Sequence, residues 1–376
     1  MNDEGREELR AMKRRVLFVI LGLAVGGAER QLLRLLPRAE FEVKLVSLTN
    51  EDAIGKEIEA AGVDVRYLGL RRDLLNLPIV LERFRRIVRE FRPDVAYAYL
   101  IHANLFTRIF ARLFGVPRVI CSVRNRQVGR PILSLVDRLT RSLVDVYVPN
   151  SPALVEVLIE QQRIDPARIV VIPNAIDVTE FDVDVDRAAQ REALRLSPDA
   201  FVACCIAKLS PQKDHATLLR ALAQLDGVTL LLAGDGPLRS SLTMLAAELG
   251  IAERVHFLGW RKDVVALMKA SDVFVLPSEY EGMSNALMEA MASGTPVIAS
   301  DIEENRVLID HDHTGLLFAV SSVPSLVDAF RRARDPVLLR RLSANAFERI
   351  AQNDVQTLVA RVGAVSRGDD VLDQGR

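Results

Sequence analysis

Short continuous apolar runs punctuate the chain, and between them apolar positions recur at helical spacing. In the first half, strands are expected near 16–21, 43–48, 63–68, 95–100, 118–123, 145–149 and 169–173. Helices such as 30–36, 77–91 and 103–114 fill the gaps. The acidic segment PNAIDVTEFDVDVD then breaks the rhythm. The second half resumes it, with strands near 201–207, 228–233, 254–258, 273–276, 297–300 and 315–318, and helices near 214–225, 237–249, 263–270 and 285–292. Strand alternating with helix gives parallel sheets covered on both faces. The expected class is α/β, with two doubly wound Rossmann-like domains facing across a cleft. The boundaries read 1–173, a connector 174–198, and 199–353. The helical stretches 323–333, 337–351 and 354–365 have no strand after them, and 354–376 is read as a last helix and tail.

A length of 376 residues and 49% hydrophobic content suit two cores. Cys121, Cys204 and Cys205 sit in strand-like runs, and neighbours 204 and 205 point to opposite faces, so a reducing cytoplasm is expected. No apolar stretch reaches the ~20 residues of a membrane helix. Arg14-Arg15 with VLFVILGLAVGGA imitates a signal peptide, but Asp3, Glu4, Glu7 and Glu8 oppose the basic leader such a peptide needs. Charge is uneven. Residues 1–173 hold 28 Lys/Arg and 21 Asp/Glu, a balance of +7, while 174–376 stand at −8. One half is therefore suited to an anionic surface.

Residues 273–300 read VFVLPSEYEGMSNALMEAMASGTPVIAS. Val273 to Leu276 is a buried strand, Pro277 ends it, Ser284 caps a helix from Asn285 to Ala292, and Gly294 with Pro296 stops that helix. Glu281 falls in the loop and Glu289 one to two turns into the helix, so both reach a strand's carboxyl end above a helix N-terminus. A lone Glu in such a loop is ordinarily solvated or complements the helix dipole. The whole string is more specific. EGMSNALMEAMASGTPVIAS resembles the E-x7-E signature of retaining glycosyltransferases with the GT-B fold, family four in the usual classification.

That resemblance implies a nucleotide-sugar donor held by the second domain. Glu289 would accept from ribose hydroxyls and Glu281 would bind the transferred sugar. The N–H groups of Gly282, Met283, Ser284 and Asn285 would meet sugar and phosphate. FVACCIAKLSPQK delivers Lys208 and Lys213 to a strand-to-helix turn, where two cations suit a diphosphate. At ~4 Å and an effective dielectric of ~20 each contact is on the order of 4 kcal/mol before desolvation. Relatives mostly carry Arg where Lys208 stands, so a planar fork becomes a point charge. LAGDGP resembles a family turn, although for Asp235 a simple strand-to-helix turn suffices. VHFLGW resembles the strand whose end, at Gly259, lies beside the base. In the first domain the turn Gly22-Leu-Ala-Val-Gly-Gly is no dinucleotide fingerprint. The resemblance sets Gly26 and Gly27 near donor phosphates and acceptor. Arg124 stands where many relatives have His, and Tyr97 and Tyr99 stand where relatives often have H-x-H. His102 follows just before a helix, as either a structural or a site residue. The resemblance also makes 354–365 a helix crossing back to the first domain, and it implies no metal and no other cofactor.

Two charged features invite other readings. Asp182-Val-Asp184-Val-Asp186 imitates a divalent-metal motif, but it lies in the acidic connector rather than after a buried strand and reads as a solvated linker. In 77–92, Ile79, Val80, Phe84, Ile87, Val88 and Phe91 form an apolar stripe, with Arg83, Arg85, Arg86, Arg89 and Arg92 elsewhere. Arg124, Arg126, Arg130, Arg138 and Arg141 form a second basic cluster. These are solvated faces or a docking surface for anionic lipid, each Arg contributing ~1 kcal/mol. No nucleic-acid motif accompanies them. The expected function is transfer of a sugar, with retention, from a UDP- or GDP-sugar to a hydroxyl acceptor in lipid-linked glycan, polysaccharide or glycolipid synthesis. The setting expected is cytoplasmic, peripheral on the inner membrane face. Lys208, Lys213 and Glu281, with Arg124 and His102, are the catalytic candidates. Rival functions stay open at this point. A glycoside hydrolase also uses paired carboxylates. A nucleotide-sugar epimerase, a phosphorylase or a non-catalytic sugar-nucleotide binder could be built on the same two-domain layout.

Overall fold

A computed structural model of the chain describes residues 14–24, 26–125, 131–197 and 199–369. The acidic residues before Arg14, Arg126 and Arg130 of the second basic cluster, and the end of the tail lie outside them. The chain forms two compact units. One runs to Ala175 and takes up the chain again from Val355; the other is Ile176–Asp354.

The first unit alternates β1 (Arg15–Ile20), α1 (Gly27–Leu35), β2 (Glu42–Ser47), α2 (Gly55–Ala60), β3 (Asp64–Tyr67), α3 (Leu77–Phe91), β4 (Val95–Tyr99), α4 (Ile101–Leu113), β5 (Arg118–Val123), α5 (Pro131–Thr140), β6 (Val146–Pro149) and α6 (Pro152–Glu156). Its sheet has the order β3-β2-β1-β4-β5-β6 and every pairing is parallel. Val16 to Ile20 are wholly buried, which is why the strand reads as an unbroken apolar run. The core on one face joins Phe18, Tyr97 and Tyr99 to Leu32 and Leu35 of α1 and Ile58 of α2. On the other, Val80, Phe84 and Val88 of α3 and Phe106 of α4 meet Leu17 and Val19.

Two expectations need correction here. Residues 169–173 do not form a strand. Only Ile169 bridges, to Tyr147, although Val170 and Ile172 donate N–H bonds to the carbonyls of Tyr147 and Pro149 at 2.9 and 3.0 Å. The segment follows β6 without completing a ladder, and Pro173 brings no donor to extend it. Ile79 does not belong to the apolar stripe of α3, being 58% exposed. Buried positions recur as Val80, Phe84, Val88 and Phe91, and Ile79 lies about 100° round the helix from Val80 in the first turn.

The second unit contains α7 (Arg187–Ala193), β7 (Phe201–Ile206), α8 (His215–Leu222), β8 (Val228–Ala233), α9 (Arg239–Glu248), β9 (Val255–Gly259), α10 (Val264–Ala270), β10 (Val273–Leu276), α11 (Asn285–Ala292), β11 (Val297–Ser300), α12 (Glu303–Arg306), β12 (Leu316–Phe318), α13 (Val323–Arg332) and α14 (Pro336–Ile350). Its sheet order, β12-β11-β10-β7-β8-β9, repeats the first unit's topology. Much of the segment read as a connector packs here, with Ile176, Phe181 and Leu196 in the core beside Leu276 and Met288. The Ile176 N–H donates to the Asn353 carbonyl at 2.9 Å, tying together the points where the chain enters and leaves this unit.

The last helix, α15 (Val355–Arg367), belongs to the first unit. Leu358, Val359 and Val362 bury in the core that holds α1. Leu358→Ala is expected to destabilise by about 2–4 kcal/mol through lost burial and a cavity. Native-state hydrogen exchange should show the loss in β1, β2 and β4, while β7, β8 and β10 keep their protection.

Candidate active site

In a doubly wound sheet, ligands bind beyond the carboxyl ends of strands where the strand order reverses. In the second unit that point lies between β7 and β10, which pair directly. The loops that follow them, 207–214 and 277–284, are therefore neighbours although 68 residues separate Lys213 from Glu281. The Glu279 N–H donates to the Gln212 carbonyl at 2.9 Å, and Gln212 Nε2 donates to the Tyr280 carbonyl at 2.7 Å. Lys213 Nζ closes the junction with an ion pair to Glu281 Oε1. The Ser278 hydroxyl donates to the same oxygen at 2.6 Å. Glu281 is 6% exposed, so its charge is stabilised by this pairing rather than by water. Lys208 is exposed on the same loop as Lys213.

Ser284 caps α11 as expected, accepting from the Leu287 N–H at 3.3 Å. Gly282, Met283 and Ser284 are buried and Asn285 half-buried. Glu289, 4% exposed, lies on α11 in the second turn. Its carboxylate and the Glu281 carboxylate thus belong to one strand-loop-helix unit that also meets the lysine loop.

The LAGDGP turn does more than reverse the chain. Leu209 N–H donates to the Asp235 carbonyl at 3.0 Å, and Leu238 N–H to the Leu209 carbonyl at 3.1 Å. A Cβ at Gly236 would lie 2.4 Å from the Leu209 carbonyl oxygen, and one at Gly234, with φ +136°, 2.0 Å from that of Ala207. Only glycine lets this turn press against the lysine loop. Gly259 ends β9 at φ +65° and accepts from the Gly234 N–H at 2.7 Å, so the turn is fixed from both sides. Buried His215, at the start of α8, is held neutral. Burial first, and then Lys213, push its pKa down to about 4.

In the first unit the reversal lies between β1 and β4. Gly26 caps α1 with an extended backbone, and Gly27 begins the helix. A Cβ at Gly26 would come within 2.3 Å of Glu29 Oε2, so the carboxyl of Glu29 fills the space beneath the turn. Burial, and then repulsion from Glu51, raise its pKa to about 7 against a stabilising backbone N–H. His102 is exposed in the first turn of α4, after a strained Leu100 at φ 71°. Arg124 is buried rather than open. Its Nε donates to the Ser122 hydroxyl at 2.7 Å, Nη1 bonds Asn174 Oδ1, and the guanidinium lies 4.9 Å from the Tyr99 ring centre. Tyr97 and Tyr99 are core residues stacked at 5.4 Å. Sequence reasoning missed Ser278, Asn174 and Glu29. Ser278 and Asn174 are each a polar residue immediately after the proline that ends an apolar run, a signal that marks a chain turn but not what the residue bonds.

The imitation metal motif is explained differently. Asp186 caps α7, accepting from the N–H groups of Ala188 and Ala189 at 3.0 Å each, and Asp182 and Asp184 are exposed. Among the described residues no three His, Cys, Asp or Glu side chains gather as a metal site. All three cysteines are free and buried, with burial pushing each thiol up to about 12. Arg141 donates to the carbonyls of Gln162 and Arg163, so it braces a loop.

Residues 186–349 match the family model described as glycosyl transferases group 1, and residues 25–180 match the one described as glycosyltransferase family 4. An Escherichia coli UDP-Gal:alpha-D-GlcNAc-diphosphoundecaprenol alpha-1,3-galactosyltransferase is 27% identical over 365 residues, covering 90% of this chain and 92% of its own. EpsF of Bacillus subtilis, a glycosyltransferase-family protein, is 30% identical over 311 residues, 78% of this chain and 80% of its own. The crystal structure of Anabaena HepE with UDP-glucose superposes with a TM-score of 0.84 at 22% identity, over 94% of this chain and 99% of that one.

The Glu29 carboxyl gives a signed pH dependence. An unfolded chain releases this proton near 4.5, the fold only near 7. The stability linked to the bound proton is complete below pH 4.5 and is lost as pH rises through 7. Glu29→Gln should therefore be more stable than the parent at pH 8 by roughly 2–3 kcal/mol, and close to equal at about pH 4.5. Urea unfolding at the two pH values measures it.

Proposed function

We propose that this chain, which belongs to the glycosyltransferases of family four and has their GT-B fold, takes its sugar from a UDP-sugar and adds it to a hydroxyl of a lipid-linked glycan. Sugar transfer itself follows from the family. The observation that carries the finer reading is the junction of Lys208, Lys213, Glu281 and Glu289 at the reversal point of one sheet. Lys213 and Lys208 bear on the donor diphosphate and stabilise the charge that grows there as the glycosidic bond breaks, an effect larger in the transition state than in the ground state. Glu281 accepts from hydroxyls of the transferred sugar. Glu289 accepts from the ribose, and the Gly282–Asn285 N–H groups meet sugar and phosphate. Gly259 and its strand end lie beside the base.

The choice of UDP is supported by HepE, crystallised with UDP-glucose, and by the E. coli relative, named for UDP-Gal. That relative's name also gives an alpha linkage and an undecaprenol-diphosphate acceptor. Because UDP-galactose is itself an alpha-glycoside, an alpha product is retention. We extend both properties to this chain. The departing phosphate oxygen takes the acceptor proton, so the reaction calls on no metal and no protein base. In the first unit the turn at Gly26 and Gly27, His102, and Arg124 through its cluster with Asn174, serve the acceptor side.

A peripheral position on the inner face of the cell membrane completes the reading. No described helix is long and apolar enough to cross a membrane. Beside α3, however, Leu74, Leu75 and Ile79 are exposed at 55%, 78% and 58%, next to Arg71 and Arg72. Arg85, Arg86 and Arg89 lie exposed along the same helix, whereas Arg83 donates to the Leu68 carbonyl at 3.0 Å. Apolar side chains flanked by arginines suit an anionic interface.

The function is tested by thermal stabilisation with UDP-glucose, UDP-galactose, UDP-N-acetylglucosamine and GDP-mannose, followed by transfer to an undecaprenyl-diphosphate-linked sugar. A UDP-sugar at about 100 times its Kd should raise the unfolding free energy by about 2.7 kcal/mol. The product should be an alpha-glycoside formed equally with EDTA present. Stabilisation by GDP-mannose alone, or a beta product, would overturn the reading. Binding to vesicles rich in phosphatidylglycerol should weaken as salt rises, and weaken further in Arg85→Gln/Arg86→Gln/Arg89→Gln. Salt-independent partitioning would rule out electrostatic docking.

A further inference from the structure

The ion pair at Glu281 leaves a question that Lys213 alone does not answer. Lys213 has a long flexible side chain with a second demand on its charge, the donor diphosphate. A carboxylate that is to read sugar hydroxyls needs an orientation that survives when that demand is met. Ser278 supplies one. It follows Pro277 at the carboxyl end of β10, is wholly buried, and its hydroxyl donates to Glu281 Oε1 at 2.6 Å. Since Lys213 addresses the same oxygen, Oε1 is doubly engaged, and Oε2 has no hydrogen bond among the described residues.

Ser278 is fixed in turn. Its carbonyl accepts from the Ser300 hydroxyl at the end of β11, and Asn305 Nδ2 donates to the Ser300 carbonyl at 2.9 Å and to its hydroxyl at 3.3 Å. Ser278 and Ser300 are fully buried and Asn305 is 1% exposed, so water does not compete for these bonds. The chain Asn305–Ser300–Ser278–Glu281 therefore stitches the loop after β10 to the segment after β11 and ends on the carboxylate.

Resting on the sugar-binding reading of Glu281, we propose that Ser278 is a positioning residue that turns Glu281 Oε2 toward the donor sugar and thereby sets which sugar the site accepts. The bond bears on recognition of the sugar and not on that of the nucleotide. Removal of the hydroxyl frees the carboxylate to rotate, and sugar recognition falls while nucleotide recognition stays.

The test is a double-mutant cycle on Ser278→Ala and Glu281→Gln, read by calorimetric titration with UDP, UDP-galactose and UDP-glucose and by kcat/KM for the better sugar. Ser278→Ala should leave UDP affinity within about twofold, lower kcat/KM by about 10- to 100-fold, and narrow the preference between the two sugars. In the Glu281→Gln background the same change should cost less than about twofold, because the group it orients has been altered. Full additivity of the two changes, or an equal loss of UDP and UDP-sugar affinity, would overturn the positioning role and leave the Glu281 reading intact. Unchanged UDP-sugar affinity in Glu281→Gln would instead defeat that reading, and this inference with it. Should Ser278→Ala fail to fold, Ser300→Ala carries the test. It should show the same selective loss of sugar recognition at smaller amplitude, and a loss shared with UDP would contradict the proposal.

Discussion

A buried carboxylate beside a half-buried ammonium is the constraint from which the strand-end site of the second unit is organised. Removing one partner of a buried ion pair costs on the order of 3–5 kcal/mol, because the other charge is left uncompensated. Lys213 and Glu281 therefore hold the loops after β7 and β10 against each other. The backbone bonds around Gln212, Glu279 and Tyr280 make that contact directional. The pair forms only because β7 lies beside β10, and β7 lies beside β10 only because the strand order reverses there. Topology, burial and charge converge on one place, the place to which the proposed function assigns the donor.

On the proposed reading the same pair carries a functional tension. An arriving diphosphate would compete with Glu281 for Lys213 and bring negative charge close to a carboxylate already screened from water. Lys208, exposed on the same loop, would add positive charge there, and the N-terminus of α11 its dipole. Glycines at 234 and 236 let the neighbouring turn brace this loop at carbonyl-to-Cβ distances no other residue tolerates. The lysine loop is thus braced at Leu209 and open at Lys208, which reaches solvent.

Much of this was legible in the sequence, and the reasons differ by element. Buried parallel strands read as unbroken apolar runs, so β1, β4, β7 and β10 stood out. The run at 169–173 misled because its apolar residues follow β6 without the second set of ladder bonds that makes a strand. Ile79 misled because periodicity cannot tell a helix's first turn, where packing ends, from its middle. The lysines and glutamates announced themselves by motif, but their ion pair did not, since sequence carries no distance. Ser278 and Ser300 escaped because a small polar residue at a strand end looks the same whether it turns the chain or orients a carboxylate, and Asn305 because a polar residue in a short helix looks solvated until its burial is known. The Arg124 cluster with Asn174 and Ser122 was hidden for a related reason, since Arg124 and Asn174 lie 50 residues apart and nothing in either segment points to the other.

The most direct test is a crystal structure with a UDP-sugar bound. The diphosphate is predicted within hydrogen-bond reach of Lys208 and Lys213, the ribose on Glu289, and a sugar hydroxyl on Glu281 Oε2 with Ser278 still bonded to Oε1. A donor bound away from the loops after β7 and β10, or a diphosphate that touches neither lysine, would contradict it.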